Sequence, residues 1–367
     1  MTRDSGSGGM RAGGLPALAA VAAGAALGIV AERLWSRSRL VEQPVPSDPH
    51  IAHRTAITRV VADDDAVLHA RIDTPVDWHP GDPTVVLVHG FALDLTTWDH
   101  QRRALLGVAR VVSYDHRGHA RSAQAHRAGT GLTIDRLGQD LAAVIEDCTD
   151  GESVIVIGHS MGGMTIMALA EQRPGWFGER IIGVGLLATS AGKIGTVTLG
   201  LPRPLAQLAH RLTPIVGTVV EREWLTNLVL RIRDSGSDLS RVLTRTYAFG
   251  ESAPEHGTAL VAHLLATTPL PVVADLLGDI GRHDRRDALG PLSRIPTLII
   301  VGDADQLTPA SHSRRLHQAI DDSSLIELDG VGHMLTLEVP DAVDSALVAF
   351  VTDIARFRDR DERRPAQ

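Results

Sequence analysis

The sequence predicts an α/β protein: a mostly parallel sheet flanked by helices, with a helical cap inserted late in the chain. Short apolar runs rich in Val and Ile alternate with amphipathic stretches, the pattern of strands covered on both faces. The reactive side chains stand just beyond those runs, at the strand ends where such sheets bind ligands. Between 190 and 292 the alternation stops and helical stretches take over.

Composition sets the outer bounds. The 367 residues, 44% of them hydrophobic, suffice for one large α/β core. A net charge of −8 and a pI of about 6.1 argue against a nucleic-acid surface. Cys148 is the one cysteine, which excludes an internal disulfide. It ends an amphipathic stretch and reads as a buried, inert thiol. Histidine is abundant, at 17 residues, yet no C-x-x-C, H-E-x-x-H or paired ligand spacing occurs. No metal and no cofactor are expected, and composition leaves the oligomeric state open.

Residues 1–35 form an N-terminal apolar segment. From Ala12 to Ala31 no side chain is charged or polar, and a membrane-crossing helix needs about 20 such residues. A membrane anchor is the first reading, with membrane association through 12–31. Arg33, Arg37 and Arg39 beyond the run would then favour the cytoplasm for the rest of the chain, while Arg3 and Arg11 before it act the other way and leave the side open. A cleaved signal peptide and a soluble tail are the alternatives, giving a secreted or a cytoplasmic protein. Residues 36–55, with Pro44, Pro46 and Pro49, read as a linker.

The core is expected over 56–189 and 293–355. Ala56–Ala62 and Val67–Ile72 flank Asp63-Asp64-Asp65 and predict an antiparallel strand pair. A strand from Pro83 ends at His89-Gly90-Phe91, and a helix follows through Trp98 and Leu105. The strand Arg110–Tyr114 leads into Asp115-His116-Arg117-Gly118-His119-Ala120-Arg121-Ser122. The helix Ile134–Cys148 comes next. Then Val154-Ile155-Val156-Ile157 runs into Gly158-His159-Ser160-Met161-Gly162-Gly163 and a helix to Gln172. This is strand, sharp turn, helix, with a serine held between glycines in the pattern G-x-S-x-G. Side chains at Gly158 and Gly162 would collide in so tight a turn. The apex residue, Ser160, is forced into a strained conformation that exposes its hydroxyl. The helix starting beneath it offers free amides and a positive dipole end to an oxyanion.

After the strand Ile181–Ala188 comes the cap, 190–292. Helical stretches are read at Leu205–Leu212, Trp224–Ile232 and Thr258–Leu265, and Leu199–Leu212 reads as a lid or as ordinary helix packing. The alternation resumes with the strand Ile295–Val301, ending at Gly302-Asp303-Ala304-Asp305-Gln306-Leu307-Thr308-Pro309. A helix, the strand Ser324–Leu328, Gly330-Val331-Gly332-His333 and a last helix from Pro340 to Ile354 complete the core. Residues 356–367 read as a charged, frayed tail.

Four of these elements in this order resemble the α/β-hydrolase superfamily: His-Gly after an early strand, G-H-S-M-G-G, G-x-x-D-x-x-x-P and G-x-G-H. The resemblance covers roughly 56–354 and implies the α/β-hydrolase fold. The family's D-x-R-G-x-G-x-S element is present with Ala120 in place of a glycine. The apolar N-terminus and helical cap also resemble membrane-associated actinobacterial members. The resemblance implies a serine esterase with the catalytic triad Ser160, Asp305 and His333. Ser160 is the nucleophile, His333 the base and then acid, and Asp305, rather than Asp303, supports His333. The amides of Phe91 and Met161 form the expected oxyanion hole, and His89, Gly90, Gly158 and Gly162 shape it. His159 reads as packing or pocket lining, Asp115 and Arg117 as loop braces; His119, His256 and His283 carry no role. The implied substrate is a small-molecule or lipid ester with an apolar acyl group, as for a carboxylesterase or lipase. The alternatives are a cofactor-free perhydrolase or haloperoxidase-like enzyme, a carbon–carbon bond hydrolase, and a non-catalytic binding member of the fold.

Overall fold

The computed structural model describes residues 52–122, 132–192 and 238–362. The apolar run 12–31, the stretches Leu199–Leu212 and Trp224–Ile232, and the end of the tail lie outside these residues.

Among the described residues eight strands form one sheet: β1 (His53–Val61), β2 (Val67–Pro75), β3 (Thr84–Val88), β4 (Arg110–Tyr114), β5 (Val154–His159), β6 (Ile181–Leu187), β7 (Thr297–Gly302) and β8 (Ser323–Leu328). Their order is β1-β2-β4-β3-β5-β6-β7-β8. β2 runs antiparallel to β1 and β4, and the strands from β4 to β8 are parallel. The β1–β2 hairpin closes over Asp63-Asp64-Asp65. Asp65 takes a φ of 66°, a conformation Asp tolerates better than most side chains. β3 lies at the centre, and the chain proceeds from it to opposite sides, through β4 and through β5. The carboxyl ends of β3 and β5 therefore flank the crevice in which such sheets bind ligands.

The helices are α1 (Asp99–Leu105), α2 (Ile134–Cys148), α3 (Met161–Gln172), α4 (Asp238–Ala248), α5 (Glu255–Thr267), α6 (Leu270–Arg282), α7 (Ala310–Ala319), α8 (Leu335–Glu338) and α9 (Pro340–Glu362). Strand alternation assigns them to two faces. Val86, Val88, Val154 and Val156 pack with Leu141 and Ile145 of α2, Ile166 and Leu169 of α3 and Leu316 of α7. Val85, Leu87, Ile155 and Ile157 pack with Leu105 of α1 and Leu347 and Val351 of α9. Each such side chain, fully buried, contributes roughly 1.5–3 kcal/mol. In α2 the apolar positions Leu137, Leu141, Val144, Ile145 and Cys148 repeat at helical spacing, and Thr133 caps the first turn by accepting the Arg136 amide at 3.2 Å. Cys148 is buried there, and burial pushes its thiol up to about 12.

α4, α5 and α6 lie between β6 and β7, and α4 and α6 were not among the stretches singled out in the sequence. The insertion leaves and returns at one place. Gly192 bridges Asp284, the Arg285 amide donates to the Ala191 carbonyl at 2.6 Å, and His283 Nε2 lies 3.1 Å from the Ser190 carbonyl. α5 packs Val261 and Leu264 against Leu93 and Met334, and α6 packs Val272 and Leu276 against Met161. These helices therefore stand over the strand ends. Among the described residues no single helix is long and apolar enough to cross a membrane; α5 and α6 reach that length only as a pair bent by 103°. α9 continues past Ile354, where the sequence suggested a frayed tail, to Glu362. Along it Arg356 pairs with Asp353, three residues earlier.

The closest backbone approach at the serine turn is at Gly162. A Cβ there would lie 2.1 Å from the Val88 carbonyl oxygen. Gly162→Ala is expected to destabilise the protein by at least about 3 kcal/mol. Gly175→Ala, where a Cβ meets nothing within 4 Å, should stay within about 0.5 kcal/mol. Thermal melts of the pair check this, and equal melting temperatures would contradict the packing described.

Candidate active site

Ser160 sits at the turn between β5 and α3 with φ 54° and ψ −116°. A non-glycine residue held there costs about 1–3 kcal/mol, so its surroundings must fix it. The Ser160 amide donates to the Leu187 carbonyl at 2.8 Å, and Thr189 Oγ1 donates to the Ser160 carbonyl at 2.7 Å. A Cβ on Gly158 would lie 2.5 Å from the Gly162 carbonyl carbon. The two glycines thus let α3 begin directly beneath Ser160, whose hydroxyl faces outward.

His333 meets that hydroxyl from the loop after β8. Its Nε2 is 3.0 Å from Ser160 Oγ, and its Nδ1 is 2.9 Å from Asp305 Oδ2. The carboxylate can only accept, so Nδ1 carries the proton and Nε2 is free to take one from the serine. His333 is 6% and Asp305 3% exposed. Burial by itself would raise the Asp305 carboxyl. The His333 charge and hydrogen bond, with donors from Thr308, outweigh burial and hold it below the ordinary carboxylate value. Asp305 Oδ1 accepts the amides of Leu307 and Thr308 at 2.8 and 2.9 Å, and Thr308 Oγ1 donates to Oδ2 at 2.8 Å. Thr308 was not singled out in the sequence, although it lies three residues after the acid. Asp303 is engaged elsewhere, accepting the Gly330 amide at 2.8 Å.

The residues expected to shape an oxyanion site also converge. Gly90 abuts the elbow so closely that a Cβ would lie 2.9 Å from His159 Nδ1. Met161 and Phe91 share one apolar cluster with Val272 and Leu276. His89 is fully buried, and its Nδ1 lies 2.8 Å from the Gly90 carbonyl oxygen. That oxygen belongs to the peptide unit that carries the Phe91 amide, so the bond orients the amide directly. His89 Nε2 accepts the His116 amide at 2.9 Å. Met161 opens α3, where helix geometry leaves the amide without an intrahelical acceptor.

His159 does more than pack: its Nε2 lies 2.9 Å from the His333 carbonyl oxygen and ties the elbow to the loop after β8. Asp115 accepts the Leu95 amide at 2.9 Å and the Arg121 amide at 3.2 Å. Arg117 is clamped between Asp140 (2.6 and 2.5 Å) and Asp64 (2.8 and 3.1 Å). Both therefore brace the loop after β4. Among the described residues no group of three His, Cys, Asp or Glu side chains is placed to hold a metal ion.

Four buried imidazoles surround the site. Burial lowers His116 and His159 to about 3, His119 to about 4 and His89 well below its ordinary value. They stay neutral in the fold but take up protons in the unfolded chain below about 6.5. Burial raises Asp115 and Asp344 to about 6, which acts in the opposite direction for one proton each. The unfolded chain still binds the excess, so stability falls as the pH is lowered, by about 1.4 kcal/mol per pH unit for each excess proton. The melting temperature should drop continuously from pH 6.5 to 4.5; a rise over that interval would contradict neutral burial of these rings.

The chain is 29% identical over 271 residues to the dihydrolipoyllysine-residue acetyltransferase component of the acetoin cleaving system of Pseudomonas putida, covering 74% of this chain and 64% of that protein. It is 26% identical over 272 residues to 3-oxoadipate enol-lactonase 1 of Acinetobacter baylyi, covering 74% and 90%. The enol-lactonase structure from Burkholderia xenovorans LB400 superposes with a TM-score of 0.62 at 25% identity, covering 80% of this chain and all of that one. A sequence model of the Alpha/beta hydrolase family matches residues 85–346. With its eight-stranded sheet and its serine turn ahead of α3, the chain belongs to the alpha/beta hydrolase family.

Proposed function

We propose that this chain hydrolyses carboxylic esters through an acyl-enzyme. The observation that carries the reading is the unbroken line from Ser160 Oγ through His333 to Asp305, at 3.0 and 2.9 Å. Ser160 Oγ attacks the ester carbonyl carbon while His333 Nε2 takes its proton. The carbonyl π pair moves onto oxygen, and the amides of Phe91 and Met161 receive that oxyanion. When it collapses, the carbon–oxygen bond to the alcohol breaks, and His333 returns the proton to the departing alkoxide. Water then repeats the cycle on the acyl-serine and releases the acid. Asp305 holds His333 in the reactive tautomer and stabilises the imidazolium. Each oxyanion donor is worth about 10²–10³ in rate. A lactone is a cyclic ester, so the enol-lactonase relatives support attack on this class of carbonyl.

For the acyl group we propose an apolar, lipid-like chain. The apolar side chains Leu264 of α5 and Val272 and Leu276 of α6, over the strand ends with Leu93 from the loop after β3, support this reading.

His333→Ala and Asp305→Asn are expected to lower kcat on p-nitrophenyl acetate by at least about 10³ and 10². Ser160→Ala should abolish the acyl-enzyme burst. Turnover within threefold of the unmodified protein in any of these folded variants would remove the reading. Across p-nitrophenyl esters from acetyl to decanoyl, kcat/KM is expected to rise at least tenfold. A maximum at acetyl would restrict the enzyme to short esters.

A further inference from the structure

The sequence assigned His119 no role, yet it is fully buried. Its Nε2 accepts the Ala92 amide at 3.2 Å, and its Nδ1 lies 3.0 Å from the Arg117 carbonyl oxygen. An amide can only donate and a carbonyl can only accept. The ring is therefore the neutral Nδ1–H tautomer, with Nε2 as acceptor.

Ala92 is itself strained, with φ 51°. It follows Phe91, so the peptide unit between them is held by its N–H to His119. The preceding unit is held by its carbonyl, on which His89 Nδ1 (2.8 Å) and the Leu93 amide (3.3 Å) converge. The Phe91 backbone is thus fixed from both sides, and its own amide is left for a ligand. We propose that His119 is a positioning residue for acyl transfer, which holds the strained Phe91–Ala92 peptide so that the Phe91 amide points at the developing oxyanion.

The loop that presents His119 is itself anchored. Arg117, whose carbonyl orients the ring, is gripped by Asp140 and Asp64, and Asp115 binds Leu95 farther along the same oxyanion loop. Burial lowers the His119 imidazole to about 4, so the acceptor on Nε2 persists at neutral pH. Among the described residues nothing else is recorded accepting the Ala92 amide.

The inference rests on the esterase reading, and two variants separate them. A glutamine side chain can place its carbonyl oxygen near the Nε2 position and keep the acceptor for Ala92. An asparagine is shorter, reaches the Nδ1 position and keeps only the Arg117 contact. Rates on p-nitrophenyl acetate are taken per active site, counted by the fluorophosphonate end-point. His119→Asn should lose 10- to 100-fold in kcat with KM within threefold, and its phosphonylation rate should fall in parallel. His119→Gln should stay within about threefold of the unmodified protein. Equal rates in the two variants, high or low, would overturn the inference. A folded Gln variant that loses more than tenfold overturns it alone, whatever the Asn variant does. Unmodified protein that neither labels nor turns over would instead sink the esterase reading.

Discussion

The contact on which the rest of the site depends is that of Gly162 with the end of β3. Only a residue without Cβ lets α3 start against the Val88 carbonyl. That approach forces Ser160 out of the usual backbone regions and sets the start of α3 beside Gly90 and Phe91. Ser160 and the Phe91 and Met161 amides are therefore one construction, made where two central parallel strands end side by side. The sheet supplies the rigidity: β3 and β5 are buried along their whole length, so the elbow cannot relax by moving its supports.

The strain is local and answered locally. Four non-glycine residues with positive φ, Ala92, Ala120, Ser160 and Ala188, lie just past the ends of β3, β4, β5 and β6. Each such residue costs about 1–3 kcal/mol and persists only where its neighbours over-determine it. The Ala188 amide donates to Ile300 and its carbonyl accepts from Thr308, the same threonine that supports Asp305. Ala92 is held by His119, and Ser160 by Leu187 and Thr189. Backbone strain and polar support thus belong to one network, largely closed to water, in which neutral histidines act as donors and acceptors at fixed positions.

Much of this was legible in the sequence because it is written in short-range patterns. Apolar runs of β-branched residues marked β3 to β7, and strand-turn-helix spacing marked the elbow. The order of Ser160, Asp305 and His333 matched a known family. Contacts between distant loops were harder to see. His119 meets Ala92 across the sheet end, and His159 meets His333 from nearly half the chain away. No periodicity or motif encodes such polar pairs, because they depend on which loops the sheet order brings together. The cap was legible as helical, but the bounds of α4 and α6 were not, because prolines and glycines blur the helical period there.

The central claim is that Ser160 is the nucleophile that His333 activates. Its most direct test is mass spectrometry of the intact protein after reaction with a fluorophosphonate, followed by peptide mapping. The account predicts one phosphonyl group per chain, on Ser160, formed far more slowly in His333→Ala. An adduct on any other residue, or none on the folded protein, would contradict it.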